Sequence, residues 1–134
     1  MNTSNKVTRD KLTNAIFIDI RYFNSKEEYD IIVKTIEDNY KNKTKFALII
    51  ETKNLLYENI SMKYVYLFSS FLIGLKKLDI QYLEKTDIKV YEQRIFDLLY
   101  YVFLYLCSPV ATVRVIWYSR ETNDILKIKS YYVL

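Results

Sequence analysis

Five segments of the chain have the hydrophobic pattern of β-strands. Between residues 16 and 23, isoleucines alternate with aromatic and charged side chains, which predicts a strand with one apolar face. Residues 46–50 are all apolar and are bounded by charged residues, so we predict a central strand that is buried on both faces. Alternation predicts a further strand at 86–91, and the segments 110–118 and 125–134 are expected to pair as an antiparallel hairpin.

Three segments between these strands have the period of an α-helix. The first begins at Ser25, because a serine followed three residues later by Glu28 forms a capping box, and its apolar stripe ends near residues 39–43. The second, about 62–78, is apolar around most of its circumference, so we expect it to pack against the sheet on one side and another element on the other. The third covers 93–106 and is ended by the proline that follows it.

The alternation of strands and helices indicates a single α/β domain over residues 1–134. The order of the elements predicts a mixed, mostly parallel sheet of about five strands, with three helices in right-handed crossovers and a C-terminal β-hairpin. Residues 1–14 are polar and are expected to form either an N-terminal arm or an early edge strand.

The sequence indicates neither a signal peptide nor a membrane span. Residues 1–14 contain no apolar stretch of the kind that signal peptides need. The longest nearly apolar run, 64–75, is much shorter than the roughly 20 residues that cross a bilayer. The chain has one cysteine and so no disulfide of its own, which is compatible with a reducing compartment. We therefore predict an intracellular, cytoplasmic protein.

The composition excludes the common catalytic designs. The chain has a net charge of +4, no His, one Gly, one Pro and one Cys, against 14 Tyr and 7 Phe. Without His there is no His-dependent triad or imidazole metal ligand, and a single Gly cannot build a phosphate-cradling loop. Glu51 and Asp87, near predicted strand ends, are the one carboxylate pair expected to face a common edge. We predict that the protein is not an enzyme and uses no cofactor or metal.

About half of the chain also has the element order of a known group of domains. The pattern consists of an apolar strand that leads into a polar loop, a helix and three later segments, at 46–50, 64–75, 83–90, 95–99 and 107–110. In this order it resembles the STAS and CRAL-TRIO-like small α/β domains, including single-domain versions in large DNA viruses. The resemblance implies a STAS-like architecture, a viral protein and an interaction function.

The resemblance also singles out Ser61. In bacterial anti-sigma antagonists of the STAS type, a serine between Asp and Gly is phosphorylated at the start of a helix. Ser61 lies at the start of the second predicted helix, but Ile60 precedes it and Met62 follows it. We expect Asn59 or Ser61 to cap this helix, with phosphate or anion binding as the alternative role of Ser61.

Tyrosines on the predicted helices are the candidate binding residues. Tyr101 and Tyr105 share a face of the third helix, opposite its core stripe, and Tyr64 and Tyr66 lie on the second. Exposed tyrosines at helical spacing are typical of a protein-binding surface. Packing within the protein is the other interpretation, and an AT-rich genome would also raise their number. We predict a non-enzymatic interaction or assembly module that binds a protein partner or itself through this aromatic helix face.

The alternative function is a nucleic-acid or small-ligand binding module. Single-stranded nucleic acid is bound by basic side chains interleaved with stacking aromatic rings. The C-terminal hairpin offers Arg114, Trp117, Lys127 and Lys129 for this purpose. Against this alternative, the net charge is mild and the sequence contains no RNP, KH or helix-turn-helix signature.

Overall fold

The β-sheet contains six strands, and their order across the sheet is their order along the chain. The computed structural model describes residues 4–134. The four central strands β2 to β5 are mutually parallel, and the edge strands β1 and β6 are antiparallel to their neighbours. The strands are β1 Lys6–Asp10, β2 Ala15–Asp19, β3 Phe46–Glu51, β4 Leu83–Val90, β5 Val113–Tyr118 and β6 Ile125–Tyr131.

Three helices connect the parallel strands, and the sheet is covered on one face. The helices are α1 Lys26–Lys41, α2 Met62–Lys76 and α3 Gln93–Tyr101, with a short 3-10 helix, Tyr57–Asn59, before α2. Right-handed connections between successive neighbouring strands place every helix on the same side. Burial agrees with this, because Leu48 and Ile50 of β3 are buried, whereas Arg114 of β5 and Lys85 of β4, on the other side, are exposed. We call the uncovered side the open face.

The single α/β domain with three helices and a C-terminal hairpin is confirmed, but the expected five strands are six. The additional strand is β1, so residues 6–10 of the polar N-terminal segment form an edge strand. Residues 1–3 of that segment lie outside the described residues. The sequence conceals β1 because four of its five residues are exposed and its pairing with β2 comes from backbone groups.

Two expectations about burial are wrong, and both have the same cause. β3 is not buried on both faces, because Ala47 and Ile49 project onto the open face and are half-buried. α2 packs on the sheet through Val65 and Leu72, but its outer side is exposed. The helices form a single layer on a single face, so neither the sheet nor α2 is covered on its second side by another element of the described chain.

The helix boundaries follow the predicted ones, with one change in α3. The Ser25 hydroxyl caps α1 by accepting from the Glu28 N–H (3.4 Å). The Glu28 carboxylate instead accepts from the backbone N–H of Asn5 (2.9 Å) and thereby ties α1 to the start of β1. The third predicted helix is α-helical only to Tyr101, and Val102–Leu106 forms a π-helix.

No helix in residues 4–134 has both the length and the apolar character to cross a membrane.

Candidate interaction surface

Three of the four predicted tyrosines meet on the outer side of the helical layer. The hydroxyls of Tyr66 in α2 and Tyr101 at the end of α3 are hydrogen-bonded at 3.3 Å. The rings of Tyr101 and Tyr105 lie 6.0 Å apart at an interplanar angle of 30°. Tyr66, Tyr101 and Tyr105 are 47%, 36% and 73% exposed. We call these three residues the tyrosine surface.

Helical spacing explains why these side chains point outward. In α2, Val65 is buried against the sheet, and Tyr66 therefore lies on the flank that turns away from it. In the third helical segment, Val102 and Phe103 are buried, so Tyr101 and Tyr105 lie on the opposite side. The surface forms where α2 packs against the π-helix, because that contact brings residues 35 positions apart within hydrogen-bonding distance.

Exposed apolar side chains continue the tyrosine surface in both directions. Met62 lies four residues before Tyr66 and Ile73 seven residues after it, so all three share one side of α2. Leu104 lies one turn after Tyr101 and is half exposed. Extended apolar surface of this kind on a small domain is typical of a site that binds another protein.

The tyrosine surface is suited to binding through neutral groups. The hydrogen bond between Tyr101 and Tyr66 raises the pKa of Tyr101 above its ordinary value, and desolvation adds to that rise. Tyrosine is protonated at physiological pH even at its ordinary pKa, so Tyr101 offers a hydroxyl as donor or acceptor. Within residues 4–134, no group of three or more His, Cys, Asp or Glu side chains could hold a metal ion.

Tyr64 and Ser61 do not join the tyrosine surface. Tyr64 is half-buried between α1 and α2, where its ring centroid lies 5.3 Å from that of Tyr29. Ser61 is the N-cap residue of α2, but its hydroxyl makes no capping hydrogen bond. Its backbone N–H donates to the Phe23 carbonyl (2.9 Å), so this amide does not face outward toward an anion.

The basic and aromatic residues of the C-terminal hairpin lie on two different faces. Trp117 packs on Phe96 of α3 at 5.5 Å, and the Lys127 ammonium lies 5.5 Å from the centre of the same Phe96 ring. Lys129 pairs with Val115 and therefore lies on the same face as Trp117 and Lys127, which is the face covered by the helices. Arg114 lies on the open face and forms two hydrogen bonds to Asp87, at 3.0 and 3.2 Å. The structure therefore does not assemble these four residues into one site.

The open face carries an aromatic cluster that the sequence analysis missed. Tyr91 and Tyr118 stack with ring centroids 5.6 Å apart, and the Arg120 guanidinium lies 5.6 Å from the Tyr91 ring. The Tyr91 hydroxyl donates to Glu51 (3.0 Å), and burial together with this carboxylate raises the pKa of Tyr91 well above its ordinary value. The alternation of side chains along a strand could have indicated this cluster, because each tyrosine lies two residues beyond an open-face position of its strand.

The predicted carboxylate pair also lies on this face, but its members have separate partners. Glu51 accepts from Tyr91 and Asp87 accepts from Arg114. In the strand register, Asp87 is opposite Ile49, whereas Glu51 is opposite Lys89. The two acids therefore do not converge on one point, as a general acid and base would have to do.

Comparison with protein-family models, curated proteins and solved structures found no match to this chain. The fold and the surfaces described above are therefore the basis for a functional interpretation. The STAS-like resemblance remains a prediction from the order and pattern of the elements.

Proposed function

We propose that the protein is a non-enzymatic interaction or assembly module of STAS-like architecture. It binds a protein partner, or a second copy of itself, through the tyrosine surface. The observation that carries this proposal is the convergence of three exposed tyrosines from two helices at one place. Tyrosine suits such a role because it provides a large, rigid contact area at a low cost in conformational entropy.

The exposed area indicates that the tyrosine surface would be the centre of a larger interface. The exposed fractions of Tyr66, Tyr101 and Tyr105 together amount to about one and a half tyrosines. At about 200 Å² for each aromatic residue, this is roughly 300 Å². A stable interface covers about 800 Å² on each partner. The neighbouring apolar residues, including Met62, Leu104 and Ile73, would supply much of the remaining area.

We also propose that the protein acts inside the cell. Its one cysteine, Cys107, is unpaired and buried. Burial raises the pKa of the Cys107 thiol, which keeps it protonated and unreactive. An unpaired thiol of this kind is compatible with a reducing compartment such as the cytoplasm.

The mass of the protein in solution tests self-association through the tyrosine surface. Light scattering over a range of concentrations should show that the wild type forms a larger species. The double variant Tyr101→Ala/Tyr105→Asp should be folded and monomeric. Tyr132→Asp is the matched control, because Tyr132 is 66% exposed and lies outside the tyrosine surface. Self-association that survives in the double variant would exclude this surface as the interface.

A second experiment covers the case in which the partner is another protein. One variant carries a photo-crosslinking amino acid in place of Tyr105, and a second variant carries it in place of Tyr132. Irradiation in cells should give a defined protein adduct from position 105 and none from position 132. A monomeric wild type that gives no adduct from position 105 would refute the proposed function. A salt-dependent titration with single-stranded oligonucleotides then tests the nucleic-acid alternative.

A further inference from the structure

An apolar cavity lies between the sheet and the helices. Its volume is about 120 Å³. The sheet side of its wall is formed by residues at or near the carboxyl ends of β2, β3 and β4, including Ile20, Ile50 and Ile88. The helical side includes Val65 of α2 and Leu99 of α3. The cavity therefore lies under the helices, near the carboxyl ends of three parallel strands.

The wall of the cavity is almost entirely apolar. Fourteen of its fifteen lining residues are apolar, and Thr52 is the exception. The Thr52 hydroxyl donates to the Lys89 carbonyl oxygen (2.7 Å), and its backbone N–H donates to the same oxygen (3.2 Å). Both of these donors are therefore occupied within the protein. A charged or strongly polar guest would lose its hydration without gaining a partner, so this wall selects against it.

Two local features border this space. The segments after β2 and β3 are joined beside the cavity, because Phe23 and Ile60 form an isolated parallel bridge. The π-helix supplies Val102 and Phe103 to the lining, and its wide turn is closed by the bond from the Cys107 N–H to the Val102 carbonyl (3.0 Å). π-Helical turns are rare and occur frequently at functional sites.

We propose that this cavity is a binding site for a small, uncharged, apolar molecule. An apolar cavity of roughly 150 Å³ in another protein stays dry and takes up benzene. A volume of about 120 Å³ therefore sets the upper limit of the guest near a single small ring or a short aliphatic chain. This site is separate from the tyrosine surface, so a negative result for one proposal leaves the other unaffected.

Benzene is the probe for this proposal, and methyl NMR is the readout. The protein is labelled at the methyl groups of isoleucine, leucine and valine and is titrated with benzene. We expect saturable shift changes at lining methyls such as those of Ile50, Val65 and Leu99. The methyls of Ile128 on the open face should not move. The absence of any saturable change up to the solubility limit of benzene would overturn the proposal.

Variants at one position of α2 locate the binding event. Val65→Phe places a phenyl ring in the cavity and should weaken benzene binding at least tenfold while the protein remains folded. Leu67→Phe is the matched control, because Leu67 lies in the same helix but is exposed and lies outside the cavity. If Val65→Phe fails to fold, Val65→Ile adds one methylene and should weaken binding several-fold. Benzene affinity equal to that of the wild type in the folded variant would overturn the proposal.

Discussion

Replacing Asn5 by alanine should lower the free energy of unfolding by about 3 kcal/mol. Asn5 is buried next to the start of β1, where its side chain bonds backbone groups of the segment after β2. Its Oδ1 accepts from the N–H groups of Arg21 (2.7 Å) and Tyr22 (3.1 Å), and its Nδ2 donates to the Tyr22 carbonyl (3.0 Å). Each such bond contributes about 1 kcal/mol net, and these three are lost in the alanine variant together with a longer bond from Nδ2 to the Glu28 carbonyl (3.4 Å).

Urea unfolding and hydrogen exchange together test this prediction. With a slope near 2 kcal/mol/M, a loss of about 3 kcal/mol lowers the midpoint by about 1.5 M. Asn54→Ala is the control, because Asn54 is exposed and its loss should change the midpoint very little. The amides of Arg21 and Tyr22 should also exchange faster in the Asn5 variant. The reasoning is refuted if Asn5→Ala loses less than about 1 kcal/mol or if both amides keep their wild-type exchange rates.

Two further predictions concern single side chains. Ser25→Ala removes the cap of α1 and should cost about 1 kcal/mol in urea unfolding, and an unchanged midpoint would contradict the capping role. Tyr131→Phe should stabilise the protein by about 1 kcal/mol at neutral pH, because the Tyr131 hydroxyl is buried and has no hydrogen-bond partner within residues 4–134. Burial raises the pKa of Tyr131 in the folded protein from its ordinary value of 10 to about 12. Because the tyrosine of the unfolded state ionises first, the wild type should lose stability as the pH rises from 10 to 12. The advantage of the phenylalanine variant should therefore grow over that interval in thermal unfolding, and a constant difference would argue against the shift.

The features that the sequence predicted correctly depend on neighbours within a few residues. The start of α1 follows from Ser25 and the residues after it, and the cap is present. β3 follows from a continuous apolar run and extends one residue beyond the predicted segment, and β5 follows from apolar alternation and lies within its predicted segment. The outward position of Tyr101 and Tyr105 follows from helical spacing relative to a buried stripe.

The features that the sequence did not predict depend on how distant segments meet. β1 has almost no apolar pattern and exists because β2 provides backbone partners. The contact between Tyr66 and Tyr101 requires α2 to pack on the π-helix, and no periodicity marks where an α-helix changes to a π-helix. Tyr91 and Tyr118 were missed because their stacking depends on the register of β4 and β5.

The sequential order of the strands has a consequence for how the protein is made. Each strand pairs with the one synthesised just before it, so a nascent chain can add one strand-helix unit at a time to a sheet that already exists. Every newly exposed sheet edge is then covered by the segment that emerges next from the ribosome. The outer edges of β1 and β6 are the two that remain. On β6, Lys127 and Lys129 discourage an identical strand from pairing, because antiparallel pairing of two copies would bring like charges together. The sequential strand order therefore also limits the time during which a newly formed strand edge stays unpaired and can aggregate.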